Sequence, residues 1–226
     1  MALPTEVGVM TLPHTTLFPQ AFLPLRIFEL RYRRMLEDAL QGHRMFAVAL
    51  RRPDRSRETP APVAGLGLIR ASVGQADGTS NLILQGIARV ELVEVAHYRP
   101  YRRYHIRPLA SVIRDRAAVD TLTTRLLKIV KARLQQPAGA VNLSAPEAGG
   151  VASAWPSPFA HAKQVGVLAH VDQPEQIADL VSWTLLSRSD QRQALLETLD
   201  VETRLQRLLH FLLVESQQPR TPNSYE

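Results

Sequence analysis

The chain has 226 residues, of which 45% are hydrophobic and 21% charged, the balance of a globular protein with enough apolar material for a real core. It has no cysteine, which excludes disulfides, thiolate zinc sites and a cysteine nucleophile. The formal net charge is +6, which makes anionic partners plausible, but only three of the 27 basic residues are lysines (Lys128, Lys131 and Lys163). Such arginine-heavy usage also describes an ordinary solvated basic surface.

The N-terminus "MALPTEVGVMTLP" has neither the basic start nor the apolar stretch of a signal peptide, and no apolar run approaches the ~20 residues that span a bilayer. The expectation is a cytoplasmic protein without membrane contact.

The first half reads as β. Residues 7–12 form a short apolar strand, followed by a proline-containing loop over 13–20. Residues 22–27 are extended, with Pro24 marking an edge or kink. The period then changes. Tyr32, Met35, Leu36 and Ala39 fall at helical spacing within 29–40, and Gly42 stands where a helix stops. "MFAVAL" (45–50) is a strand, and "RRPDRSRETPAP" a polar loop with three prolines. Residues 64–73 and 81–95 are strand-rich runs joined by "GQADGTS", in which Asp77-Gly78 signals a hairpin. In the second run the apolar positions shift parity between Val90, Leu92 and Val93, Val95, as at a bulge that curls a sheet. Residues 104–110 supply a last strand. Six strands and one early helix close into a small barrel.

From about residue 116 the pattern is helical. Leu122, Leu126, Ile129, Val130 and Leu134 mark one amphipathic helix, and a Pro/Gly/Ala-rich stretch at about 137–160 reads as a long surface loop. Asp172-Gln-Pro-Glu175 reads as a capped helix start, with Ile177, Leu180, Val181, Thr184 and Leu185 on one buried face. A short helix over 191–199 follows. Asp200 then caps a last helix carrying Val201, Leu205, Leu208, Leu209, Leu212 and Leu213. The predicted organisation is a barrel over residues 1–114, a helical bundle over 115–218 and a disordered tail over 219–226.

Catalytic motifs are missing. No lysine follows the glycine that a P-loop requires, no histidine precedes a glutamate as in zincins, and no serine sits between the glycines of a nucleophile elbow. Gly65-Leu-Gly67 lacks the third glycine of a dinucleotide turn and reads as a strand in close contact with another backbone. His97 with His105, and His161 with His170, read as ordinary surface or hydrogen-bonded histidines. The expectation is no catalytic residue, no cofactor and no metal.

Two stretches invite a binding role. In "HYRPYRRYHIR", Tyr98, Tyr101, Arg102 and Arg103 have the interleaving that stacks on bases and grips phosphates, although a barrel strand with inward tyrosines looks the same. Phe18 and Phe22 bracket the proline loop and either plug the barrel end or expose an apolar patch for a polypeptide.

The ordered set Leu12-Pro13, Leu17-Phe18-Pro19, Pro24-Leu25-Arg26-Ile27-Phe28-Glu29-Leu30-Arg31-Tyr32, Asp77-Gly78-Thr79 and Gly86-Ile87-Ala88-Arg89 resembles the N-terminal domain of Lon proteases. Toward the C-terminus, Ile177-Ala178-Asp179, Gln191 to Glu197 and Asp200 to Leu205 resemble that family's helical half. The resemblance is to stand-alone Lon N-terminal-domain proteins, since too few residues follow for an ATPase or a Ser/Lys protease domain. It implies an α+β fold, with a PUA-like six-stranded β-barrel and one early helix followed by a C-terminal helical bundle. It also implies a non-enzymatic polypeptide-binding module, with a groove between barrel and bundle as the expected site. An RNA-binding module using Tyr98, Tyr101, Arg102 and Arg103 is the alternative.

Overall fold

The structure is a computed structural model that describes residues 2–55, 58–134 and 171–217. The loop expected at 137–160 and the tail at 219–226 lie outside the described residues. Six strands, β1 (Glu6–Leu12), β2 (Phe22–Ile27), β3 (Met45–Leu50), β4 (Val63–Gly74), β5 (Ser80–His97) and β6 (Arg103–Leu109), and the early helix α1 (Leu30–Gln41) make up the first half. Among the described residues of the second half are helices α2 (Arg116–Leu134), α3 (Pro174–Leu185), α4 (Ser189–Glu197) and α5 (Val201–Gln217).

The strands lie in the order β2-β5-β4-β3-β1-β6, and β5 also pairs with β6, which closes the sheet. The long β5 makes closure possible. Its first half pairs with β2, from Ser80↔Ile27 to Gln85↔Phe22, and its second half pairs with β6, from Arg89↔Leu109 to His97↔Arg103. The register slips between Leu92 and Glu94, leaving Val93 outside the ladder and exposed, so the parity shift in the sequence is a bulge. The Asp77-Gly78 turn joins β4 to β5. Gly78 has φ +76, and Asp77 Oδ1 accepts the Thr79 N–H at 2.9 Å. Pro24 sits in β2, which among the described residues pairs with β5 alone, where a residue without an N–H is tolerated.

"MFAVAL" lacks alternation because both faces of β3 are covered. Met45, Ala47 and Ala49 point into the barrel with Val7, Val9, Ala64, Leu66, Val90, Leu92 and Ile106. Phe46 and Val48 point outward into a second cluster that runs under α1 and on into the bundle, through Leu82, Leu84, Val119, Leu126, Val181, Leu205 and Leu208.

The loop between β1 and β2 enters the junction of barrel and bundle. Leu17 and Phe18 are fully buried there. Their backbone lies so close to the sheet that a Cβ on Gly65 would meet the Leu17 carbonyl oxygen at 1.9 Å, and one on Gly86 the Phe18 oxygen at 2.0 Å. This is the close approach expected at Gly65. Among the described residues this loop and the shared apolar cluster pack at the junction of barrel and bundle, where a groove was expected.

Asp200 caps α5 as expected, accepting the Thr203 N–H at 2.9 Å. Asp172 does not cap α3. The helix starts at Pro174 with Gln173 at the cap and no side-chain cap bond, because the proline itself sets the first turn and has no N–H to satisfy.

Candidate functional site

The residues singled out in the sequence do not form one surface. Phe18 is buried at the junction, with the Arg89 guanidinium 5.8 Å from its ring centre. It is packed in the cluster shared by barrel and bundle, outside the barrel interior, and is closed to solvent. Phe22 is half-buried at the start of β2. Tyr98 is exposed, but Tyr101 is buried and donates its hydroxyl hydrogen to Asp38 on α1 at 2.8 Å. Burial and the Asp38 carboxylate together push the Tyr101 phenol up to about 12. Arg102 donates to the Glu58 carbonyl, and Arg103 lies 2.6 Å from Glu6 across the β1–β6 pair. Three of the four members of the Tyr/Arg run thus face protein partners. His97 and His105 are both exposed on the β5–β6 ribbon, where they pair with Arg103 and Glu94 rather than with each other. His161 and His170 lie outside the described residues. Among the described residues no group of three or more histidines, aspartates or glutamates is placed to hold a metal ion.

Two polar constructions carry the organisation of the molecule. The first is buried. Arg89 on β5 forms a bidentate pair with Asp179 on α3, one arm at 2.8 Å, and its Nε donates to the Leu196 carbonyl at 3.0 Å. Arg204 on α5 shares the same aspartate at 3.1 Å and donates to the Thr198 and Leu199 carbonyls and to Ser111 Oγ. All three side chains are at most 3% exposed. Burial pushes the Arg204 guanidinium down to about 10, against the pull of Asp179, so it stays charged at neutral pH. The three resembling segments, Gly86-x-x-Arg89, Ile177-Ala178-Asp179 and Asp200 to Leu205, meet in this network, which ties the barrel to the bundle.

The second construction lines an open cleft of about 450 Å³ between the end of β1, the end of β2 and the first turn of α1. Met10, Leu25 and Ile27 supply a buried apolar floor, and Phe28, half of it exposed, stands where β2 turns into α1. Arg31 forms one wall. It reaches Glu29 at 2.8 Å and Glu58 at 2.5 and 3.1 Å, and lies 4.4 Å over the Tyr32 ring. The Tyr32 hydroxyl accepts the Thr11 N–H at 3.2 Å and donates to Glu58 at 3.1 Å. Burial pushes the Tyr32 phenol well up. Burial would also raise the Glu58 carboxyl, but the hydrogen bonds and charge of Arg31, with the Tyr32 hydroxyl and Arg102, outweigh it and hold Glu58 below its usual range. Sequence reading missed this cleft, because its walls come from β1, β2, α1 and the loop holding Glu58. Only the adjacency of Phe28, Glu29 and Arg31 at a strand-to-helix turn hints at it.

A closed six-stranded barrel carrying a helical bundle on a buried ionic tie defines an α+β domain with a partly apolar surface cleft. Residues 6–214 match the family described as the ATP-dependent protease La (LON) substrate-binding domain, and the chain belongs to that family. It is 22% identical over 216 residues to a Lon protease of Dictyoglomus thermophilum, covering 94% of this chain and 25% of that protein. With a Lon protease of Desulfosudis oleivorans it shares 26% identity over 212 residues, 91% of this chain and 23% of that protein. The chain thus spans about a quarter of the curated relatives it matches, and the matched quarter is the substrate-binding domain. Solved structures with the same fold include the N-terminal domain of Mycobacterium avium complex Lon protease (TM-score 0.69, 17% identity, 92% of this chain and 98% of that one). A Lon N-terminal domain protein from Xanthomonas campestris is also similar (TM-score 0.60, 18% identity, 92% and 99%). No helix among the described residues is long and apolar enough to cross a membrane.

Proposed function

We propose that this chain is a non-enzymatic, cytoplasmic module that recognises polypeptide, either a substrate to be handed on or a protein partner. The observation that carries this reading is the pairing of family and cleft. A chain of the LON substrate-binding family presents a groove whose floor is apolar and whose lining includes an exposed large hydrophobic, Phe28, at 51% exposure. Scattered exposed apolar residues are ordinary on a protein surface; an exposed phenylalanine over an apolar-floored open cleft offers an extended chain a place to bury its own side chains. The interior of the barrel is filled by side chains and offers no such place.

The test is fluorescence anisotropy with labelled, reduced and alkylated casein as the unfolded polypeptide. Saturable binding is expected, weakened several-fold by Phe28→Ser with an unshifted melting curve. Absence of binding to casein and to a panel of unfolded polypeptides would sink the reading.

A further inference from the structure

We infer that the cleft under Phe28 selects a polypeptide segment in which an apolar side chain is followed directly by a carboxylate. This deepens, and rests on, the polypeptide-binding reading. The apolar half of the preference follows from the floor: Met10, Leu25 and Ile27 lie at the base of the cleft and Phe28 is half exposed in its lining, so an incoming side chain finds hydrocarbon to pack on beside the polar wall.

The carboxylate half follows from how the charges at the rim are committed. Glu58 and Glu29 both engage Arg31, and Glu58 also accepts from Tyr32, so these acids are held in place by their own partners. The remaining cations of the cleft are not so held. Arg51 is exposed and has no ion-pair partner among the described residues; its fixed contact is its backbone N–H on the Leu12 carbonyl at 2.7 Å. Arg26 reaches only Asp77, at 3.5 Å with both side chains largely in water. Three arginines face two glutamates around the cleft, and the surplus charge sits on the arginine that is free to turn toward a ligand. A guanidinium beside an apolar floor takes a planar carboxylate in a bidentate grip, whereas a lysine or arginine on the ligand would meet repulsion. The cleft of about 450 Å³ is of the size that takes one or two side chains, so side chain and carboxylate must be adjacent.

That carboxylate is either a chain terminus or an aspartate or glutamate side chain, and the experiment separates them. Three fluorescein-labelled Gly/Ser hexapeptides are titrated by anisotropy: one ending in Phe with a free C-terminus, the same peptide as its amide, and one with internal Phe-Asp and an amidated end. The free acid, the Phe-Asp peptide or both are expected to bind about tenfold more tightly than the plain amide, a ratio typical of one charge-assisted contact. Arg51→Gln should bring that ratio toward unity and Arg51→Lys should keep part of it, both with unchanged melting curves because Arg51 is exposed. Equal binding of all three peptides overturns the carboxylate inference and leaves the polypeptide reading standing. Binding of none of them, with casein still bound, overturns the inference and moves polypeptide binding elsewhere on the molecule.

Discussion

Arg89 on β5 and Asp179 on α3 stand 90 positions apart in the chain and meet in a bidentate pair closed to solvent. Taking two charges out of water is costly, and the pair holds because nearly every remaining donor of Arg89 and of its neighbour Arg204 finds a carbonyl or hydroxyl. Among the described residues Asp179 is the acid that ion-pairs with both buried guanidiniums. Removing it strands both. Asp179→Ala is expected to cost about 3–5 kcal/mol, read as a lower urea midpoint, and to cost more than Arg89→Met. Combining Arg89→Met with Asp179→Leu should recover part of the loss, since neither variant side chain then leaves Arg89 and Asp179 half-paired. An unchanged midpoint for Asp179→Ala would mean that the pair does not form in solution.

The same tie bears on domain organisation. Strands end at Leu109 and α2 begins at Arg116, yet one apolar cluster passes from Phe46 and Leu84 to Leu205 and Leu208. We propose that the boundary near residue 114 divides two subdomains that unfold together. Leu208→Asp, which puts an unpaired charge at a fully buried position on α5, should cost several kcal/mol and lower the stability of both halves. Hydrogen exchange should show β3 and α5 opening at the same free energy. Loss of protection in α5 with β3 unaffected would make the halves independent.

The family label concerns recognition, and the prediction for catalysis follows from it. Purified protein is expected to neither hydrolyse ATP nor cleave casein. Turnover of either that persists through re-purification and tracks the protein peak would contradict the non-enzymatic reading.

Local signals in the sequence were read correctly where the cause is local. Strand β3, the Asp77-Gly78 turn, the bulge at Val93 and the Asp200 cap each follow from a few adjacent residues. Gly65 was legible as a close approach, although not what approaches it. The ionic tie was visible only as a fragment of a family pattern, because an arginine destined for burial looks like any other until its partner, 90 residues on, is placed. The burial of Phe18 and Tyr101, and the pairing of Arg103 with Glu6, were illegible for a related reason. Interleaved aromatic and basic residues on a strand fix alternation, and whether the tyrosine faces α1 or water is decided by the helix that packs there.

The cleft wall sets a pH dependence. Glu58 titrates below its ordinary value of 4.5 in the folded protein, so the unfolded chain binds its proton first as the pH falls. The stability it contributes is fully present above about pH 4.5 and is lost as the pH drops through the folded value. Glu58→Gln should therefore be less stable than the parent at pH 7, with the gap narrowing below pH 4.5. Denaturant melts between pH 3 and 7 check this; a gap constant across that range would show that Arg31 and Glu58 are not coupled.

The last prediction sets polypeptide against nucleic acid. Binding to a phosphate backbone releases counterions, so affinity for single-stranded RNA falls with a log–log salt slope of about −0.7 per contact. Such binding needs several arginines and aromatic faces on one surface. Here Tyr101 is buried on Asp38, Arg103 is drawn to Glu6 and Arg102 to the Glu58 carbonyl, which leaves Tyr98 as the one exposed aromatic of the run. Binding of a labelled oligo(U) at physiological salt is expected to be weak, and changing Arg102 and Arg103 to Ala should leave casein binding intact. Casein affinity should vary less than tenfold between 50 and 500 mM salt, because apolar burial supplies most of it and a single carboxylate contact the rest. A low-micromolar complex with oligo(U) at physiological salt, abolished in the double arginine variant, would require the exposed face of β6 to be the working surface and would displace the cleft under Phe28 from that role.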